Sequence, residues 1–230
     1  MRRESGNMTQ ATPAIRMTTH HEENANAATH ALGFAASVVG AVVVAVTALR
    51  HGNAWQQWSV GVYAFMLVAL YAASTLSHVY RDPVRRHFFR AADQAIIFVF
   101  IAAAWTPMAV TWMRGPWWWV LHGAMWVVAL VGFASKAIFS RRVHLGAVSL
   151  VAYLVLGWMP ITAIWPMSQV VPGGLLAWFL AGGLCFTVGT VFFKYDDRIP
   201  YFHAAWHLFV VAGTACHFFA VLFYCTGLPL

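Results

Sequence analysis

Two histidines, His203 and His207, stand four residues apart in the segment YFHAAWHLF, residues 201–209. Four residues turn a helix by about 400°, so both rings share one face, one turn apart. That spacing can chelate a metal, and it can equally finish a helix end. A second pair, Ser74 and His78 in STLSH, repeats the spacing. Asp93, in RAADQAIIF, is the one acid inside an apolar span, and Glu23, Asn26 and His30 in EENANAATH are three and four apart and share a helical face. Three imidazoles with an open position form the ligand set of a catalytic zinc site. On that reading His78, His203 and His207 hold Zn2+. Asp93 accepts a hydrogen bond from the zinc-bound water or acts as its base, and Ser74 orients a ligand or the carboxylate. Zinc lowers the pKa of bound water to about 7 and polarises a carbonyl, which is hydrolase chemistry.

Each piece has a plainer reading. A lone helical HxxxH is more often structural or interfacial than metal-binding. Ser74 can bond back to its own helix, Asp93 can be an acid favoured at a helix N-terminus, and Glu22 with Glu23 can form a solvated first turn. What favours chemistry is a common depth for all four clusters, which rests on the elements that carry them.

Those elements are membrane spans. Of 230 residues 61% are hydrophobic and only 9% charged, against roughly 25% charged in soluble domains. A crossing needs about 20 mostly apolar residues in a helix, because lipid offers no partner to a free peptide group. Seven such segments run roughly over 30–49, 58–79, 92–113, 117–137, 144–165, 173–194 and 203–226. The expectation is an all-α integral membrane protein, one seven-helix bundle over residues 21–230 behind a polar, disordered tail at 1–20. The tail lacks the apolar core of a signal peptide, so it is expected to stay in place.

Charge sets the orientation. Twelve of the fourteen Lys and Arg residues fall on one side: Arg2, Arg3 and Arg16 in the tail, Arg81, Arg85, Arg86 and Arg90 in loop 2–3, Lys136, Arg141 and Arg142 around loop 4–5, and Lys194 and Arg198 in loop 6–7. Only Arg50 and Arg114 fall on the other. Short basic loops stay inside, so the N-terminus is expected in the cytoplasm and the C-terminus outside. This distribution argues against a nucleic-acid partner and for anionic lipid headgroups at the basic belt. Trp112, Trp117, Trp118 and Trp119 fit an aromatic girdle on the outer side.

All four polar clusters then lie at the cytoplasmic ends of their helices, where membrane-embedded polar groups are functional by default. His217 lies ten residues past His207, about 15 Å deeper, too far to share one ion. It is read as a hydrogen-bonded interior histidine lining a cavity. His20, His21, His51, His87, His122 and His144 receive a surface reading. Cys185, Cys216 and Cys225 lie within spans without metal-type spacing and are read as packing residues. Gly157, Pro160 and Pro166 in span 5 and AGGL at 181–184 in span 6 mark kinks or close helix contacts.

The segments EENANAATHALG, STLSH, ADQAIIFVFIAAAWTPM and PYFHAAWHLFVVAGTACHFF, in this order, resemble the hemolysin III branch of the progestin and adipoQ receptor superfamily, itself similar to the alkaline ceramidases. The resemblance runs from about residue 22 to 225 and implies a seven-helix membrane bundle with a cytoplasmic N-terminus. It implies that the SxxxH motif is Ser74 and His78, the motif acid Asp93, and the HxxxH motif His203 and His207. In the receptors the matching histidines bind zinc and the matching Asp contacts its water. The ExxNxxxH motif falls on Glu23, Asn26 and His30. The usual Asp-His is Asp93-Gln94 here, and Thr-Tyr before Thr-Pro is Ala104-Trp105; neither departure removes a ligand, and both reshape the cavity.

The leading expectation is a zinc-dependent intramembrane hydrolase of a lipid amide or ester, in a bacterial inner membrane. The alternative is a membrane-homeostasis or receptor-like protein in which zinc is structural and ties spans 2 and 7 together. Cytolysis by pore formation ranks below both.

Overall fold

The computed structural model describes residues 18–139 and 146–229. Arg2, Arg3, Arg16, Arg141, Arg142, His144 and residues 1–17 of the tail expected to be disordered over 1–20 lie outside the described residues; the last residues of that tail are ordered instead, Thr19 capping α1 and His20 opening it.

Peptide groups that cannot reach water must bond along the chain, and the described residues are helical almost throughout. The elements are α1 (His20–His51), α2 (Ala54–Val79), α3 (Pro83–Trp112), α4 (Pro116–Phe139), α5 (Gly146–Trp158), a 3-10 turn (Met159–Ala163), α6 (Ile164–Val170), α7 (Gly173–Lys194) and α8 (Phe202–Tyr224). Among the described residues, seven stretches are long and apolar enough to cross a membrane, the fifth being Val148–Val170. No strand occurs among the described residues. The chain is a seven-helix membrane bundle.

Local chemistry explains where the helices start. Thr19 and Glu22 form a reciprocal capping box at the head of α1, so that helix opens well before the expected span and carries Glu23, Asn26 and His30 within it. Asn53 and Gln56 do the same for α2. The stretch read as loop 2–3 is mostly helix, because Asp82 caps α3 by accepting from Arg85 N at 2.9 Å and Pro83 stands in the first turn. The fifth span is interrupted at Met159–Ala163, where Pro160 removes a donor and the chain tightens to 3-10 geometry.

Helix α2 packs between α1 and α3, α4 packs on α3, and α8 packs on α7 and α1. The main core holds Val44, Tyr63, Leu67, Tyr71, Met108 and Leu175. A buried pair, Tyr71 Oη to Thr214 Oγ1 at 2.5 Å, ties α2 to α8. Glycine lets α7 and α8 approach closely: a Cβ on Gly182 would stand 2.6 Å from His217 Nε2 and 3.0 Å from the Gly213 carbonyl. This is the close contact expected from AGGL.

Four readings need correction. His122 is not at the surface: it is buried on the stripe that α4 turns to α3, 3.3 Å from Thr106 Oγ1, with Trp126 Nε1 donating to its Nε2 at 3.1 Å. Trp118, on the same stripe, is also buried, so only Trp117 and Trp119 of that triplet are exposed. Lys136 is not a flanking cation but is 5% exposed, about four turns beyond His122 on that stripe. Glu22 is 3% exposed rather than solvated. Cys185, Cys216 and Cys225 are free thiols, the last fully buried.

Candidate metal centre

The head of α1, the tail of α2, the third turn of α3 and the head of α8 meet at one end of the bundle. His78, His203 and His207 there each present one ligand atom, and these atoms lie within 4.8 Å of one another. The ring centroids are 5.1 Å apart for His78 and His203, 5.0 Å for His78 and His207, and 4.4 Å for His203 and His207. Two of these rings come from one α8 face, as the four-residue spacing requires. The third crosses from α2.

Each ring is held through Nδ1. His78 Nδ1 lies 3.0 Å from Glu23 Oε2. His203 Nδ1 lies 2.6 Å from Asp196 Oδ2, and His207 Nδ1 lies 3.1 Å from Thr29 Oγ1. The Thr29 hydroxyl also faces the carbonyls of Ala25 and Asn26 at 3.0 and 2.9 Å. Its single proton goes to one of these, so towards His207 it acts as acceptor. Two carboxylates and one such hydroxyl therefore place the proton of each imidazole on Nδ1, leaving three Nε2 lone pairs as the donor atoms of the group. Three neutral imidazoles suit a divalent ion held at about 2.0–2.1 Å, and the residues present fit a zinc ion. The group could hold a metal.

Glu23 is itself anchored by Arg86 Nη2 at its other oxygen, with Arg90 Nη2 3.6 Å away. Glu22 accepts from the Tyr201 N–H at 3.1 Å and from the Thr19 N–H at 2.8 Å. Tyr201, just before α8, holds a left-handed φ of 61°, a conformation that costs a non-glycine residue roughly 1–3 kcal/mol. Glu22 thus clamps the strained entry to α8, two residues before His203.

Asp93 lines the same cavity as the histidines and accepts from Ser74 Oγ at 3.3 Å. The structure therefore brings together Ser74, His78, Asp93, His203 and His207. It also brings His30 close: its ring centroid is 3.7 Å from that of His207 and 6.5 Å from that of His78. Both ring nitrogens of His30 and Oδ1 of Asn26 are buried without a hydrogen-bond partner among the described residues. His217 stays apart from the cluster. It lines the cavity deeper down, packed on Phe179 at 4.6 Å, with Nδ1 unpartnered among the described residues.

The cavity has a volume of about 520 Å3 and is walled by apolar side chains such as Phe100, Leu154 and Leu176. Sequence reasoning missed Asp196, Thr29 and the clamp at Glu22. The available signal for Asp196 was its place in KYDDRIP, a polar turn seven residues before His203. Thr29 offered none, since its role follows from the crossing of α1 and α8.

A family model described as Haemolysin-III related matches residues 18–218. Hemolysin-3 of Bacillus cereus is 36% identical over 203 residues, covering 88% of this chain and 91% of the relative. The Hemolysin-3 homolog of Bacillus subtilis (strain 168) is 35% identical over 213 residues, covering 93% and 99%. The human Monocyte to macrophage differentiation factor is 31% identical over 211 residues, covering 88% and 84%.

Proposed function

The chain belongs to the haemolysin-III-related family, within the progestin and adipoQ receptor superfamily, and from that premise we propose a zinc-dependent intramembrane hydrolase acting on a lipid amide or ester. The observation that carries this reading is the holding of all three histidines through Nδ1 by Glu23, Asp196 and Thr29. Zinc at the three Nε2 atoms would supply a Lewis acid and an acidified water.

The chain's own residues supply the rest. Ser74 holds one oxygen of Asp93, which leaves Oδ1 to take a proton as the oxygen of water bonds to the carbonyl carbon. The same oxygen returns that proton to the leaving nitrogen or oxygen as the C–N or C–O bond breaks, giving a carboxylic acid and an amine or alcohol. The apolar walls receive the acyl chain and exclude bulk water. The basic side of the sequence supports a reading in which this end of the bundle faces the cytoplasm, in a bacterial inner membrane, with membrane lipids as the proposed substrates and anionic headgroups at the belt.

One observation favours a second reading, structural zinc without turnover. His30 brings two unpartnered ring nitrogens close to His207, and as a fourth ligand it would close the site.

Metal content of the purified protein tests the shared premise. Wild type should carry one zinc, and His78→Ala, His203→Ala and His207→Ala should carry little or none. Equal zinc in all four removes the centre. Release of fatty acid from a lipid amide or ester, present in wild type and absent in His203→Ala, separates the two readings; zinc without any release leaves the structural one.

A further inference from the structure

Lys136 lies far along the stripe Trp118, His122, Met125 and Ala129 by which α4 packs inward. It is 5% exposed, and it lines the cavity. An ammonium inside a membrane span is costly and is normally paired with an acid or placed for a ligand. Among the described residues, two Lys or Arg side chains line the cavity. Arg90 lies 3.6 Å from Glu23. Lys136, by contrast, has as its hydrogen-bond partner the neutral side-chain carbonyl of Gln94, with Nζ 2.9 Å from Oε1, and no acid lies within ion-pair distance among the described residues.

Gln94 is fixed in turn, because Tyr153 Oη donates to its backbone carbonyl at 2.6 Å. The corner formed by α3, α4 and α5 thus holds an ordered cation with donors to spare, since an ammonium carries three and one is engaged. Apolar walls adjoin it on the cavity side.

We propose that this corner binds the anionic group of an amphiphile whose apolar chain fills the cavity, with Lys136 as the counter-charge and Gln94 as the residue that positions it. The ligand class is a single acyl chain ending in a carboxylate or a phosphate. This deepens the hydrolase reading and rests on it for the cavity's role as substrate chamber, the anion belonging to the substrate or to the released acid. A volume of about 520 Å3 falls inside the range of about 300–1,000 Å3 usual for small-molecule sites.

The test is equilibrium binding to the full-length protein in phosphatidylcholine nanodiscs, using radiolabelled palmitate, 1-palmitoyl lysophosphatidate and neutral palmitamide. Each is measured on zinc-loaded and on chelator-stripped protein. In stripped protein at least one anion should bind about tenfold more tightly than palmitamide; the tighter of the two names the source as a free acid or a phospholipid. Lys136→Met should erase that preference while leaving palmitamide binding unchanged, and Lys136→Arg should keep it. Equal binding of the anions and palmitamide by stripped wild type overturns the proposal, and so does a preference that survives Lys136→Met. Should Lys136→Met not fold, Lys136→Gln takes its place: loss of the preference supports the proposal and its survival overturns it. Loss of the zinc reading is registered separately by metal content, since the stripped-protein arm needs no metal.

Discussion

Asp196 Oδ2 lies 2.6 Å from His203 Nδ1, so an acid in the turn before α8 fixes the ring of a histidine in that helix's first turn. Glu23 stands in the same relation to His78 at 3.0 Å. Two carboxylates from opposite ends of the chain thus set tautomer and ring angle for two of the three histidines. Partners of this kind are commonly worth 10–100-fold in metal affinity. Asp196→Asn and Glu23→Gln should each weaken zinc binding by about that factor while retaining a folded bundle. Competition against a chromophoric chelator measures it, and affinities equal to wild type would leave the carboxylates without this role.

Asp93 should separate binding from turnover. The carboxylate bonds Ser74 rather than any of the three histidines, so Asp93→Asn should keep its zinc. Turnover should fall by about 10²–10⁴-fold, the usual contribution of a positioned acid–base group. Full hydrolysis by Asp93→Asn on a defined lipid amide or ester would assign the proton to another residue.

Metal should also act as a cross-link, because its ligands come from α2 and α8. Free zinc at 100 times its Kd should stabilise the folded protein by about 2.7 kcal/mol. A chelator should therefore lower Tm in wild type and leave the Tm of His78→Ala unmoved. An equal chelator response in both proteins would place the stabilising metal elsewhere.

Gly182 offers a test that is independent of the metal. A methyl group there meets the His217 ring and the Gly213 carbonyl, and overpacking of this kind costs about 1–3 kcal/mol. Gly182→Ala should lower Tm while zinc content stays at the wild-type level. An unchanged Tm would show that α7 and α8 can part at this contact without cost.

Much of this was legible in the chain. A span announces itself by composition, and the sixth matches its expected limits of 173–194. His203 and His207 are legible for a related reason: a helix fixes the direction of its own side chains. Contacts made across helices are different. The pairing of Thr29 with His207 joins residues 178 positions apart, and no local pattern encodes it. His122 and Lys136 looked peripheral because one lies near a span end and the other beside a basic loop. The buried stripe of α4 that contains both follows from how α4 meets α3. Glu22 and Glu23 look like one acidic pair in sequence. The rotation of about 100° between neighbouring residues of a helix sends them to different tasks, the first to Tyr201 and the second to His78.

The interruption at Met159–Ala163 has a mechanical meaning for the chamber it helps to wall. Spans one, two, three and seven are knit together by Tyr71 with Thr214, Glu23 with His78 and Ser74 with Asp93. Pro160, Ile161 and Ile164 line the cavity from a stretch where the α-helical ladder is broken, and 3-10 geometry bonds less well than α. The compliance of the barrel is therefore unevenly shared, with the stiff staves carrying the imidazoles and the jointed stave facing them. On the hydrolase reading proposed above, lipid passing between the chamber and the bilayer would be met by this jointed wall, and the spacing of the donor atoms on the other helices would be kept.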